Sequence, residues 1–110
     1  MTISHNTREK RFEGTLEGKN FFVEYDFSLD GEIIITHTYV HSDLRGQGIA
    51  AALLEHLSAW AKEEQRKIVP ICSYAVAFYK RHKEYQHLLK DEETLSTGGY
   101  CTISRKKHSP

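Results

Sequence analysis

The segment Arg45-Gly46-Gln47-Gly48-Ile49-Ala50 has the residue types and spacing that point most directly to chemistry in this 110-residue sequence. Glycines so placed let backbone N–H groups approach a ligand, and a helix starting there adds positive potential, which suits a phosphate or pyrophosphate. The plain alternative is a tight turn from strand to helix. Single reactive side chains lie outside the segment. Cys72 offers a nucleophile, because a helix beginning just after it would favour the thiolate. His37 can accept a proton as a neutral imidazole, or can be a core histidine with its hydrogen bonds satisfied. Glu32, at the start of a strand, and His41, just before the glycines, are weaker base candidates.

The elements that must position these residues can be read from periodicity. Phe12 to Leu16 forms a short strand that ends in the turn-like run Glu17-Gly18-Lys19-Asn20. Phe21, Val23, Tyr25 and Phe27 then alternate with Phe22, Glu24, Asp26 and Ser28, the period of a half-buried strand. Asp30-Gly31 follows as a hairpin signal. From Glu32 to Val40 apolar and β-branched residues occupy both faces, so this strand is expected to be central and covered on both sides, with positions 33, 35, 37 and 39 on one face beside His37. After the glycine segment Ile49, Leu53, Leu57 and Trp60 make a helical stripe, widened by Ala50, Leu54 and Ala61. The helix is expected to end between Lys62 and Lys67.

Ile68 to Cys72 reads as a second strand, parallel to the first because a helix joins them, with Pro70 limiting its pairing. Ser73 is the expected cap of a second helix from Ala75 to about His82. Farther on, Gly98-Gly99 reads as a break and Tyr100 to Ile103 as a short strand.

Within this frame two kinds of phosphate loop can be set aside. No Gly-Lys-Ser/Thr is present for a nucleoside-triphosphate loop. Gly46, Gly48 and Ala51 satisfy G-x-G-x-x-A, but a dinucleotide fold also wants an acidic residue about 20 positions on, at the end of the next strand. Ile68 to Cys72 contains none.

Composition narrows the partners. Fifteen Lys and Arg balance fifteen Asp and Glu, so the basic field of a nucleic-acid or anionic-membrane binder is missing and nucleic acid is not an expected partner. The seven His form no HxxxH or HExxH pair, and no metal is expected. Cys72 and Cys101 make neither a CxxC pair nor a disulfide framework, which points to reduced thiols and a cytoplasmic location. No apolar stretch approaches the roughly 20 residues of a membrane span, and Met1 to Lys10 lacks the apolar run of a signal peptide. A single domain over residues 11–104 is expected, between a flexible N-terminus of residues 1–10 and a flexible tail of residues 105–110.

Arg45-x-x-Gly48-x-Ala50 resembles the pyrophosphate loop of the GNAT superfamily of acetyl-CoA-dependent N-acetyltransferases. The resemblance runs from about Phe21 to Leu89, and His37-Thr38-x-Val40, Gly46-Gln47-Gly48 and Pro70-x-Cys72-x-x-Ala75 resemble its small single-domain, YjdJ-like members. It implies a compact α/β fold, a mixed antiparallel and parallel sheet flanked by helices, without the usual N-terminal helices, because few residues precede the loop. It also implies acetyl-CoA as co-substrate, held by Val40, Arg45, Gly46, Gln47, Gly48, Ile49 and Ala50, with the thioester near the end of the strand finishing at Cys72.

The implied activity is acetyl transfer to a small amine or an exposed lysine; the alternative is a CoA-binding module without efficient transfer. Tyr79, in the Phe-Tyr pair after Ala75, matches the family's proton donor to the departing thiolate, while an amphipathic aromatic packed under the sheet is its plain reading. Cys72 could accept the acetyl group first, and His37 is the base candidate. Lys80, Arg81 and Lys83 could meet the 3′-phosphate of CoA or simply be solvated charge. Arg105-Lys106-Lys107 is too short a basic run to imply nucleic acid. The acceptor and the oligomeric state are not readable from the sequence.

Overall fold

A hairpin meander runs into a single parallel crossover. The computed structural model describes residues 2–91. Strands β1 (Ser4–Asn6), β2 (Arg11–Leu16), β3 (Lys19–Phe27) and β4 (Ile33–Val40) pair antiparallel in chain order, and β5 (Ile68–Pro70) adds in parallel to β4. Helix α1 (Ile49–Glu64) joins β4 to β5, and α2 (Ser73–Arg81) follows β5. The fold is the mixed α/β sheet with flanking helices that the sequence implies.

Alternation along β3 explains the core. Phe21, Val23 and Tyr25 are buried together with Ile33 and Ile35 of β4, and the apolar stripe Leu53, Leu54, Leu57 and Ala61 of α1 packs in the same cluster. Burying side chains of this size contributes about 1.5–3 kcal/mol each. Gly14 on β2 is a close approach: a Cβ there would lie 2.4 Å from the Thr2 carbonyl oxygen and 2.6 Å from the Phe21 ring. The Ser28-to-Glu32 hairpin closes through Gly31 at φ +85°, a conformation that glycine adopts at little cost.

Four details depart from the sequence reading. Ser4–Asn6, within the segment expected to be flexible, forms an edge strand because His5 stacks on Phe12 with ring centroids 4.0 Å apart and meets the edge of Trp60 at 4.5 Å. β5 ends at Pro70, short of Cys72, because Ile71 N and Cys72 N both turn to the one Ile35 carbonyl as the chain swings into α2. The cap of α2 is Cys72, whose sulfur accepts from the Ala75 amide at 3.4 Å, so Ser73 is the first helical residue. β4 is not covered on both sides along its length, because Thr36 and His37 are exposed. The expected Gly98-Gly99 break, the Tyr100–Ile103 strand and the terminal basic run lie outside the described residues.

Candidate functional site

The site begins where β4 and β5 part. Their parallel pairing spans only Ile33 with Ile68, Ile34 with Val69, and Ile35 with Pro70. The Ile35 carbonyl then accepts from both Ile71 N (3.1 Å) and Cys72 N (3.3 Å), after which the chain turns into α2 while β4 continues to Val40. A carbonyl shared between two successive amides thus ends the ladder and opens a cleft between the strands.

A bulge in β4 decides which side chains face it. Glu24 of β3 pairs with His37 but Tyr25 pairs with Ile35, leaving Thr36 as the extra residue, with its hydroxyl donating to the Glu24 carbonyl at 3.3 Å. One inserted residue inverts the alternation beyond it. The faces expected from uninterrupted alternation are therefore exchanged: His37 does not share the face of Ile33 and Ile35 but lies exposed beside Phe22, ring centroids 6.1 Å apart. Thr38 and Val40 turn inward and line the cleft.

The cleft has a volume of about 480 Å³. Six of its lining residues, Val40, Arg45, Gly46, Gly48, Ile49 and Ala50, come from the set expected to hold the co-substrate. Gln47 is exposed and is not among them. Gly46 (φ +85°) and Gly48 (φ +76°) are left-handed, and a Cβ on either would meet nothing within 4 Å. Their role is therefore to shape the turn and leave space in front of it.

Gly48 caps α1 without a side-chain hydrogen bond, the first turn carries no acidic residue, and the first intrahelical bond runs from Ala52 N to the Gly48 carbonyl (3.0 Å). The amides of residues 48–51 precede the helix's own ladder, at its positive end. Such amides can accept an anion with little reorganisation, so the residues present fit the pyrophosphate arm of a CoA molecule.

The reactive candidates separate in space. Cys72 is partly exposed, and its sulfur lies 3.4 Å from the Thr38 hydroxyl. Tyr79 is fully buried, with its hydroxyl 2.7 Å from that of Ser58 on α1. Burial pushes the phenol far above its ordinary range, against the hydrogen bond with Ser58, with further increments from Tyr85 and Cys72. It is a neutral donor or acceptor tied between two helices, and it does not line the cleft. Glu32 is engaged with Ser28 and Lys90 at the opening of β4, and His41 caps the short turn Ser42–Leu44 by accepting from Asp43 N. Lys80 and Arg81 occupy the last turn of α2.

Three cleft residues lie outside the set expected from the sequence: Thr38, Tyr74 and the buried Leu44 of the short turn after β4. Thr38 is hidden by the bulge, and a signal exists for it: Ile33, Ile35 and Val40 cannot share a face unless one residue is inserted between them. Tyr74, which is 41% exposed and lines the cleft, is a large aromatic at a helix start with no sequence motif to mark it. Among the described residues no cluster of three His, Cys, Asp or Glu side chains stands ready for a metal, and no helix is long and apolar enough to cross a membrane.

The sequence model of the family described as GCN5-related N-acetyl-transferase matches residues 11–88, most of the chain. Among solved structures the fold is similar to a ribosomal-protein-alanine N-acetyltransferase from Brucella melitensis biovar Abortus 2308, at 24% identity and a TM-score of 0.44. That alignment covers 74% of this chain and 62% of the other, so the chain spans less than two thirds of that enzyme's length. With most of its residues matched by the family model, the chain belongs to the GCN5-related N-acetyltransferases.

Proposed function

We propose that the protein is an N-acetyltransferase that binds acetyl-CoA in the β4–β5 cleft and passes the acetyl group through Cys72 to an amine. The observation that carries this reading is the glycine-capped start of α1, whose leading amides open into a cleft that also reaches the Cys72 sulfur through Thr38. Acetyl-CoA would lay its pyrophosphate on the amides of residues 48–51, beside Arg45, and supply an activated acyl group as its thioester. The small single-domain, YjdJ-like branch of the family fits the segments His37-Thr38-x-Val40 and Pro70-x-Cys72-x-x-Ala75.

In the first step the Cys72 thiolate attacks the acetyl carbonyl carbon; a new C–S bond forms, and the old one breaks with its electron pair leaving on the CoA sulfur, which takes a proton from solvent. In the second step a neutral amine attacks the acetyl-Cys72 carbonyl, Cys72 departs as thiolate, and the amine's extra proton goes to water. Relay through Cys72 is favoured over direct transfer with Tyr79 as acid because the Tyr79 hydroxyl is engaged with Ser58 inside the core. Among the described residues the cleft lining includes no His, Asp or Glu, so the amine must arrive already neutral. For a small amine or a surface lysine, with a pKa of about 10, that neutral form is a minor fraction that grows about tenfold with each pH unit, so turnover should rise with pH.

Calorimetric titration with acetyl-CoA tests the site. Saturable binding by the native protein is expected, with loss of at least about 100-fold in affinity in Gly48→Glu, where bulk and a negative charge enter the anion's space. Unchanged affinity in a folded Gly48→Glu variant would overturn the assignment. Thiol release at background level across a panel of primary amines, with binding intact, would mark a CoA-binding module instead.

A further inference from the structure

We infer that Thr38 is a positioning residue for the Cys72 nucleophile: its hydroxyl donates to the sulfur, enlarging the thiolate population and stabilising Cys72 as a leaving group. The inference rests on the Cys72 relay proposed above. Its physical basis is the bulge at Thr36. With uninterrupted alternation, position 37 would face inward and an imidazole would stand near the sulfur. The inserted residue turns position 38 inward instead and brings a threonine hydroxyl to 3.4 Å from Sγ.

Threonine is suited to this task. Its β-branch restricts χ1, so the hydroxyl is aimed with little loss of rotamer freedom, and β4 is anchored by its ladder to β3 on either side of the bulge. A second donor, the Ala75 amide, also points at the sulfur from 3.4 Å. A thiolate can accept from both donors at once, and hydrogen bonds to a charged group are the stronger kind. In the first step Thr38 holds the charged sulfur at the cleft wall. In the second, the electron pair returns to Cys72 as its bond to the acetyl carbon breaks, and the same hydroxyl receives the renewed charge. No atom of Thr38 is gained or lost.

The test is the rate at which iodoacetamide alkylates Cys72 in the full-length protein, read by mass spectrometry on the peptide containing it, with the Cys101 peptide as internal reference. Thr38→Val keeps the side-chain shape and removes the donor; Thr38→Ser keeps the donor. Losing one hydrogen bond to a charged sulfur reduces the thiolate population about tenfold, and the more basic sulfur recovers about 2.5-fold in intrinsic reactivity, so alkylation of Thr38→Val near pH 7 is expected to fall about fourfold. The gap should close and then reverse at high pH, where both proteins are fully ionised. Serine should restore the native rate to within about twofold.

A folded Thr38→Val protein alkylated at the native rate across the pH range would overturn the inference. So would a loss that Thr38→Ser shares equally. Alkylation needs no acetyl transfer, so failure of the relay itself is seen separately, as native protein that gains no acetyl group on Cys72 from acetyl-CoA.

Discussion

Two strand-to-helix junctions stand at one cleft, and they are finished in opposite ways. After β4, α1 is capped by a left-handed glycine with no side chain to satisfy its first amides. After β5, α2 is capped by a cysteine whose own sulfur takes the Ala75 amide. The positive end of a helix is common to both. At the first it opens toward the cleft; at the second it meets the chain's own Cys72 sulfur. On the function proposed above, the same backbone device would serve binding in one place and reactivity in the other, and the difference lies in whether the cap residue has an acceptor of its own.

The largest effect that could break this contrast is at the second junction. Cys72→Ala is expected to lower the steady-state transfer rate by about 100-fold or more while acetyl-CoA affinity stays within about twofold, a split between chemistry and binding. Full turnover by Cys72→Ala would erase the distinction. Tyr79→Phe sharpens it from the other side. It leaves the Ser58 hydroxyl buried without its partner, so stability to urea should drop by about 1–3 kcal/mol, with turnover changed less than about threefold. Loss of turnover in Tyr79→Phe alongside an active Cys72→Ala would favour direct transfer.

At the first junction Gly48→Ala puts an L side chain at φ +76° in otherwise open space. It should cost about 1 kcal/mol in urea denaturation, from the backbone rather than from any clash. The smallest effect is expected far from both junctions. Burial holds His5 below its ordinary value of 6.5, so the folded state favours the neutral ring, which sits 2.6 Å from the Tyr25 hydroxyl. Its contribution is full above about pH 6.5 and is lost as pH falls toward the lowered folded value. A modest decline in urea midpoint over that interval, removed in His5→Phe, is the expected result.

The glycine junction was legible in the sequence because an apolar strand, two glycines and a helical stripe fall in consecutive order, and each is a local signal. The cysteine junction was only partly so. Cys72 was identifiable as a thiol near a helix start, but cysteine is not among the usual caps, and Ser73 carried the stronger signal. Uninterrupted alternation puts His37 on the wrong face, because the bulge at Thr36 depends on how β3 pairs with β4. For Tyr79, the aromatic type was plain, while the destination of its hydroxyl depends on Ser58, an unremarked serine on α1. Ser4–Asn6 has no apolar alternation, and it is held by a long-range aromatic cluster that periodicity does not see.

Brief incubation of the native full-length protein with acetyl-CoA in the absence of amine, followed by peptide mass spectrometry, tests the contrast most directly. One acetyl group is expected on the Cys72 peptide, absent in Cys72→Ala, absent in Gly48→Glu, and discharged when a neutral primary amine is added. Amine acetylation proceeding at the native rate with no acetyl on Cys72, and undiminished in Cys72→Ala, would contradict it.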